Sequence, residues 1–565
     1  MTPGPKQPLI PQPGPLPRHA GRWVALVGNQ VVGLGDSAAQ AADAAKLNRP
    51  RETATVLYMP DMPFDGPIDW PDLIEQIRLH LPDPAAVWLV GGAVRDMLLH
   101  RDIADYDLVV ARDAPQLARR LSNALPNARY YLLDEVRGTA RVVVYLAQGG
   151  YVTIDVANLR AETLAFDLLD RDFTINALAI SLDPDAPQFM DVCNGVNDLR
   201  ERTLRLVRPE AVDNDPVRAV RAVRLLLQLG FKMDEATKVA VRNGAAKLRH
   251  VSAERVRDEF FKILAGPRPT TGVRVLMQLG LLPPIVPEIE ALVGLAGNGP
   301  HVDSVWDHTL RVVEMLEAVL SVLRPIHDVD AASSYALGLV SARIGNFRHV
   351  LTERLVREPT FGRPARGLLL LAAVLHEIGK PATQTMTDDG EVLYPGHAER
   401  GAALASDRLN ALKLSRLEML MVHQMVKHHA LPQQFATRAE PLTDREIHQF
   451  FRVIETAGPE VILLAVADRL ALVGRSMSPE AQVAWANYIN RMVELLDAYF
   501  LRYDAVVSPK PVVDGDDLQR DLGLTPGPIL GELLAALKEE QAAGVVTDRE
   551  SALDYARRWL GASMP

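Results

Sequence analysis

The stretch "LVGGAVRDMLLHRDIADYDLVV", residues 89–110, decides how the rest of the chain is read. An apolar strand runs into Gly91 and Gly92, a short helix carries Arg95, and a second strand opens with Asp105 and Asp107. Side chains two apart on a strand share a face, so the two aspartates project side by side while Tyr106 points away. Adjacent carboxylates repel unless a cation lies between them. Hard oxygen ligands of this kind suit Mg2+, which completes its shell with water and phosphate oxygens. The Gly91-Gly92 turn lets backbone amides approach a ligand at a helix start, where anions are favoured. Arg95, one turn on, is placed for a charge-assisted contact with the same phosphates. A Gly-Gly turn is usually only a turn, and a D-x-D pair is usually solvated. Strand, glycines, helix and D-x-D strand in immediate succession point instead to a phosphate-and-metal site.

Composition sets the frame. The 565 residues are 48% hydrophobic, enough for several cores and, by length, about three or four domains. The single cysteine, Cys193, excludes an intrachain disulfide, and no leader-like pattern opens the chain, so a cytoplasmic setting is expected. The longest apolar run, "GLLLLAAVL" at 367–375, falls short of the ~20 residues a membrane span needs and reads as a buried helix. No membrane partner is expected. With net charge −10 and a pI near 5.8, nucleic-acid binding would require a local basic patch.

The chain divides by pattern. Residues 1–20 are a Pro/Gly-rich arm expected to be disordered. Residues 21–80 read as a small ββαβ module: two apolar runs about a Gly28-Asn29 turn, an alanine-rich helix, and the strand "ATVLYMP". Residues 81–205 mix strands and helices, and from about 210 onward the pattern is helical. The expected fold class is an α/β head with a small mixed sheet, then a long all-α neck, body and tail, with the α+β module in front.

These motifs resemble the class II nucleotidyltransferases of the polymerase β superfamily, which comprise CCA-adding tRNA nucleotidyltransferases and bacterial poly(A) polymerases. The opening pattern L-V-G-G-x-V-R-D-x-L-L-G followed by D-x-D matches from Leu89 to Asp107, with His100 in place of the last glycine. "RGTARVVVY", "TIDVANLRAE", "DLLDRDFTINALAI", "DNDPVRAVRAVRLLLQLGF", "SAERVRDEFFKIL" and the tail "VVDGDDLQRDLGLTPGPILGELL" continue the likeness from roughly 85 to 565. The resemblance implies a head over 81–205, a neck for nucleotide selection and RNA binding over 206–295, an HD-like body over 296–500, and a tRNA-binding tail over 501–565. It implies template-independent addition of CMP and AMP from CTP and ATP to the tRNA 3′ end, with Asp105 and Asp107 holding Mg2+. Gly91, Gly92, Arg95, Arg171, Asp215, Arg218, Arg221 and Arg224 would then serve the nucleotide. Poly(A) synthesis is the nearest alternative.

The neck carries its own logic. Asp215, Arg218, Arg221 and Arg224 recur every third residue and read as one slowly turning polar stripe on a helix. A solvated charged face is the ordinary explanation. An aspartate can accept from the exocyclic amine of cytosine or adenine, and an arginine can donate to cytosine N3 or adenine N1. Uracil and guanine reverse that polarity. In the family the E-D-x-x-R motif has this template role; it falls on Asn214, Asp215 and Arg218, so the glutamate is absent. Residues 201–264 hold fourteen Lys and Arg against nine Asp and Glu, a local net charge of +5.

Further head positions are read less sharply. Asp170 stands where the family has an arginine, Asp155 is either a third carboxylate or a partner of Arg160, and Arg137 to Arg141 is expected in a mobile loop. Phe173, Ile175 and Ala177 read as core.

In the body, His308, His376, Glu377 and Asp468 are the expected ligands of a second divalent metal, accompanied by His397 and His428-His429. The resemblance here is to HD phosphohydrolases, with Glu377 replacing the aspartate of the HD pair, a longer carboxylate that would displace a bridging metal. A phosphohydrolase, a retained helical scaffold and a catalytically weakened tRNA-binding protein all remain open from sequence.

Overall fold

The computed structural model describes residues 22–27, 30–59, 68–147, 149–297, 304–325, 334–472 and 477–563. The arm expected over 1–20 and the Gly28-Asn29 turn lie outside these residues. The chain divides into two units, Met1–Lys247 and Leu248–Pro565.

The first unit begins with β1 (Arg22–Val27), β2 (Gln30–Gly35), α1 (Ala38–Asn48) and β3 (Thr55–Met59). The strands form an antiparallel sheet in the order β2-β1-β3. Ser37 caps α1 by accepting the Gln40 N–H. A Cβ on Gly33 would come within 2.2 Å of Ala41 O, so only glycine lets the helix seat this closely on the strand. This is the ββαβ order read from the sequence.

After α2 (Asp72–His80) comes a seven-stranded mixed sheet. Its strands are β4 (Trp88–Val90), β5 (Asp105–Val110), β6 (Ala128–Asp134), β7 (Thr139–Tyr145), β8 (Tyr151–Asn158), β9 (Leu178–Ser181) and β10 (Phe189–Asp191). They lie in the order β10-β9-β4-β5-β8-β7-β6. Only β5 and β8 run parallel; every other neighbouring pair is antiparallel. β4 is buried along its whole length, which explains its unbroken apolar run. The helices α3 (Gly92–Leu98), α4 (Ala114–Ala124) and α5 (Leu164–Leu169) punctuate the strands, followed by α6 (Gly195–Arg200), α7 (Ala211–Asn214), α8 (Val217–Leu229) and α9 (Glu235–Gly244).

The expected four-residue stripe is split here. Arg218, Arg221 and Arg224 lie on α8, but Asp215 sits in the break before it with φ −147°. Pro216 is the cause, because the residue before a proline is pushed out of the helical region. Val217, Val220, Val223 and Leu227 are buried, and Gly230 ends α8 with φ +71°.

Among the described residues the second unit is helical apart from one short hairpin, Thr385–Met386 with Val392–Leu393. The helix Ala365–Leu375 is buried all round except at Arg366, which accounts for the run read as a buried helix. The helices Gly515–Leu522, Pro528–Ala542 and Arg549–Ser563 share a core around Leu518, Leu533, Ala552 and Ala556. No helix among the described residues is long and apolar enough to cross a membrane.

Candidate active site

β4 ends at Val90, in register with Asp107 on β5. Gly91 follows at φ +75°, a conformation that costs any residue with a Cβ, and turns the chain into α3. A Cβ there would lie 2.8 Å from Arg171 Nη1 and 3.4 Å from Asp107 Oδ2. The glycine therefore leaves room for a guanidinium and a carboxylate to meet across it. Its own N–H donates to Leu178 O at 2.9 Å, so the amide expected to cradle phosphate is engaged by β9 instead.

Register brings three carboxylates to one face. Parallel pairing sets Asp107 opposite Asp155 and Asp105 opposite Thr153, whose Oγ1 donates to Asp105 Oδ1 at 2.5 Å. Burial pushes the Asp107 carboxyl up to about 6; the Arg171 guanidinium opposes this, and Asp155 and Asp105 add to it. A buried carboxyl flanked by two more, all hard oxygen donors, fits a divalent cation, which would relieve burial cost and repulsion together.

Asp155 does not pair with Arg160. Arg141 holds it in a fork, with Nε and Nη2 each 2.7 Å from a carboxylate oxygen, because antiparallel register places the two residues directly opposite. Arg141 thus belongs to β7 rather than to a mobile loop; Arg137 lies in the turn before it.

Arg95 also departs from expectation. Its Nε and Nη2 donate to Asp96 at 2.9 and 2.8 Å, and its Nη1 donates to Asn176 Oδ1 at 2.6 Å. The side chain is buried, turned inward by an acidic neighbour and an amide eighty-one positions on rather than outward to phosphate. Asn176 Nδ2 passes the connection to Asp172 Oδ1 at 3.0 Å, and Asp172 Oδ2 accepts from Arg221 Nη1 at 2.8 Å. Burial alone would raise the Asp172 carboxyl, yet Arg221, Asn176 and the Phe173 N–H hold it down at about 2. Arg218 donates to the carbonyls of Asp170 (2.9 Å) and Arg171 (3.3 Å) and lies 3.8 Å from Asp215. Arg224 donates to Gln228 Oε1 at 3.1 Å. Asp170, where an arginine was expected, pairs with Arg208. Phe173, Ile175 and Ala177 are fully buried, as read.

In the second unit, five helices bring together the residues scattered from 308 to 468. His308 Nε2 lies 3.0 Å from Asp468 Oδ1 and 3.7 Å from Glu377 Oε1. His376 Nε2 is 3.7 Å from Glu377 Oε1, and His397 Nε2 is 3.7 Å from Glu377 Oε2. Two triads result, His308–His376–Glu377 and Glu377–His397–His429, sharing the glutamate. His376, His397 and His429 each place Nδ1 against a backbone carbonyl, of Ala373, Tyr394 and Val426, at 2.8, 2.9 and 2.7 Å. That bond puts the proton on Nδ1 and leaves Nε2 as the ligating nitrogen. His376 Nε2 is buried with no hydrogen-bond partner, which fits a metal-binding nitrogen. Burial draws the His376 pKa down to about 3, keeping the ring neutral; burial would raise the Glu377 carboxyl, yet its surroundings, with the Lys380 ammonium 2.8 Å away, hold it at about 2. Glu377 presents one oxygen to each triad, so its extra methylene does not separate them.

Comparison with known proteins follows the same division. Residues 87–205 match the poly A polymerase head domain, 230–292 the probable RNA and SrmB- binding site of polymerase A, and 305–472 the HD domain. An A-adding tRNA nucleotidyltransferase of Deinococcus radiodurans is 31% identical over 484 residues, covering 85% of this chain and 96% of that protein. The chain belongs to the tRNA nucleotidyltransferase family. A CC-adding tRNA nucleotidyltransferase of Thermus thermophilus is also 31% identical, over 85% of this chain and 94% of that one. A solved CCA-adding enzyme with ATP shares the fold, with a TM-score of 0.52 at 21% identity over 87% of this chain and 96% of that chain.

Within this nucleotidyltransferase, the structure brings Asp105, Asp107, Gly91 and Arg171 together, and separately His308, His376, Glu377 and Asp468. It adds residues that the sequence reading did not assign. Thr153 and Asn176 carried no signal in one sequence. Lys380 did: it stands three residues after Glu377 and its Nζ lies 2.8 Å from Glu377 Oε1. His429 enters the cluster, whereas its neighbour His428 does not.

Proposed function

We propose that this nucleotidyltransferase adds CMP and AMP from CTP and ATP to the 3′ end of tRNA, releasing pyrophosphate. The observation that carries the reading is the set of three carboxylates, Asp105, Asp107 and Asp155, on one face beside the Arg171 guanidinium. Asp105 and Asp107 would hold Mg2+, whose charge favours the attacking hydroxyl as an anion and neutralises the departing pyrophosphate. Arg171, looking over Gly91, binds the triphosphate of the incoming nucleotide. Arg95, through Asn176, is a positioning residue for the loop that carries Arg171. Arg141 orients Asp155 by a two-point fork. Asp215 and Arg218 together select cytosine and adenine, and Arg221 and Arg224 supply positive charge along the same helix.

The test is labelled CTP or ATP and Mg2+ with tRNAs lacking the last three, two or one nucleotides, and Asp105→Ala alongside. Incorporation that halts at the completed end and vanishes in the variant is expected. Addition of CC only or A only would place the protein with the relatives bearing those names, and long adenosine tails would overturn the reading.

The two triads sharing Glu377 favour a second activity in the helical unit, metal-dependent hydrolysis of a phosphoester. His308, His376, Glu377 and Asp468, joined by His397 and His429, would hold the metal. Bound Mn2+ and opening of 2′,3′-cyclic nucleotides to nucleoside monophosphates, water adding across one P–O bond, both lost in His376→Ala, are the expected results; a preparation that binds no metal would overturn it.

A further inference from the structure

In-line displacement sets the attacking and leaving oxygens on opposite sides of one phosphorus. Gly91 and Arg171 lie at the end of β4, on one side of β5. On the other side the sheet continues through β8 and β7 to β6, and this flank has a composition of its own. Asp107, Asp155, Arg141 and Tyr131 stand directly opposite one another on successive strands. Beside that row runs a second, Asp105, Thr153, Val143 and Arg129. At ~4.8 Å per strand, Tyr131 lies about 15 Å from Asp107 along the row, the reach of a few nucleotides.

Alternation on β7 places Tyr145 on the face of Arg141 and Val143. Tyr131 is 44% exposed and Tyr145 40% exposed. The Arg129 guanidinium lies 5.5 Å from the centre of the Tyr145 ring, which packs edge-on against Tyr151 at 6.5 Å. The opposite face is occupied differently: Arg119 of α4 covers Tyr130. Open tyrosines interleaved with arginine are the means by which proteins hold single-stranded RNA, bases stacking on rings and phosphates meeting cations.

We propose that the face bearing Arg129, Tyr131 and Tyr145 receives the unpaired 3′ end of the RNA acceptor, with a base stacked on Tyr131 and a backbone phosphate at Arg129. The row Tyr131–Arg141–Asp155–Asp107 then leads the terminal hydroxyl to the carboxylates from the side opposite Arg171. This inference rests on the transfer reaction proposed above and names the residues that position its acceptor.

The test uses the full-length protein and a tRNA with 2-aminopurine as its penultimate nucleotide. Binding quenches the probe in wild type and in Tyr131→Phe, and Tyr131→Ala restores most of the emission. In steady state, Tyr131→Ala raises the KM for tRNA about tenfold, with kcat and the KM for CTP or ATP within about twofold. Arg129→Ala weakens tRNA binding and lowers its salt dependence by about one counterion. Unchanged quenching and an unchanged tRNA KM in Tyr131→Ala, while wild type incorporates nucleotide, would overturn this inference and leave the transfer reaction standing. Quenching by wild type without incorporation would do the reverse. If Tyr131→Ala instead changed the sedimentation coefficient and left tRNA binding intact, the edge strand would be a contact between copies of the chain.

Discussion

Arg221 Nη1 donates to Asp172 Oδ2 at 2.8 Å, and this bond joins α8 to the loop that carries Arg171. Asp172 is buried, and Asn176 ties its other oxygen to Arg95. A charged residue on a helix face was read as a nucleotide contact; in the fold it also pairs with a carboxylate of its own chain.

Removing Arg221 leaves that carboxylate buried without its cation, held only by Asn176 and the Phe173 N–H. Arg221→Ala should lower stability by about 3 kcal/mol, the lower end for a broken buried pair because Arg221 is partly exposed. Urea unfolding measures the change. The double variant Arg221→Met with Asp172→Asn should recover more than half of it, and no recovery would show that the charge pair is not what matters.

The same pair fixes a pH dependence. The Asp172 carboxyl is held at about 2 in the fold against 3.8 unperturbed, so its stabilising effect is complete above about pH 4 and is lost as pH falls toward 2. Wild type should therefore exceed Asp172→Asn in stability by about 2 kcal/mol at pH 6, and the gap should close between pH 4 and 2. A gap independent of pH would contradict this assignment.

Gly91→Ala should spare the fold and damage the reaction. The added Cβ would stand 2.8 Å from Arg171 Nη1, the far end of a flexible side chain, which can move away. The conformation, φ +75° with ψ −134°, costs about 1–3 kcal/mol in a residue with a Cβ, while displacing the guanidinium by about 1 Å should lower kcat/KM about a hundredfold. Parallel measurement of the thermal midpoint and nucleotide incorporation separates the two effects.

Lys380 competes for Glu377. Its ammonium lies 2.8 Å from the oxygen that faces His308 and His376, so it repels a cation entering that triad. Lys380→Met should tighten Mn2+ binding by about five- to tenfold in calorimetric titration. Weaker binding would mean that the lysine supports the metal rather than opposing it.

Much of the head was legible because its geometry is local. Residues 89–110 fold as strand, glycine turn, helix and strand, with Asp105 and Asp107 on one face, since alternation needs no knowledge of the rest of the chain. Pro216 gave notice that Asp215 would leave the helix, a signal outweighed in the reading by the three-residue spacing of the arginines. Arg95 departs from the reading, and the Arg160 alternative for Asp155 falls away, for another reason. Their partners, Asn176 and Arg141, are chosen by loop packing and cross-strand register, which one sequence does not display. In the body, histidines and acids far apart in sequence were recognisable as a set, but the sharing of Glu377 between two triads depends on how five helices cross.

The parallel pairing of β5 with β8 has a further consequence. A slip of β8 by one residue would carry Asp155 to the opposite face and withdraw it from Asp107 and Arg141 together. Such a molecule would lack the third carboxylate and its orienting arginine at once, so an error of folding would silence the enzyme rather than make it inaccurate.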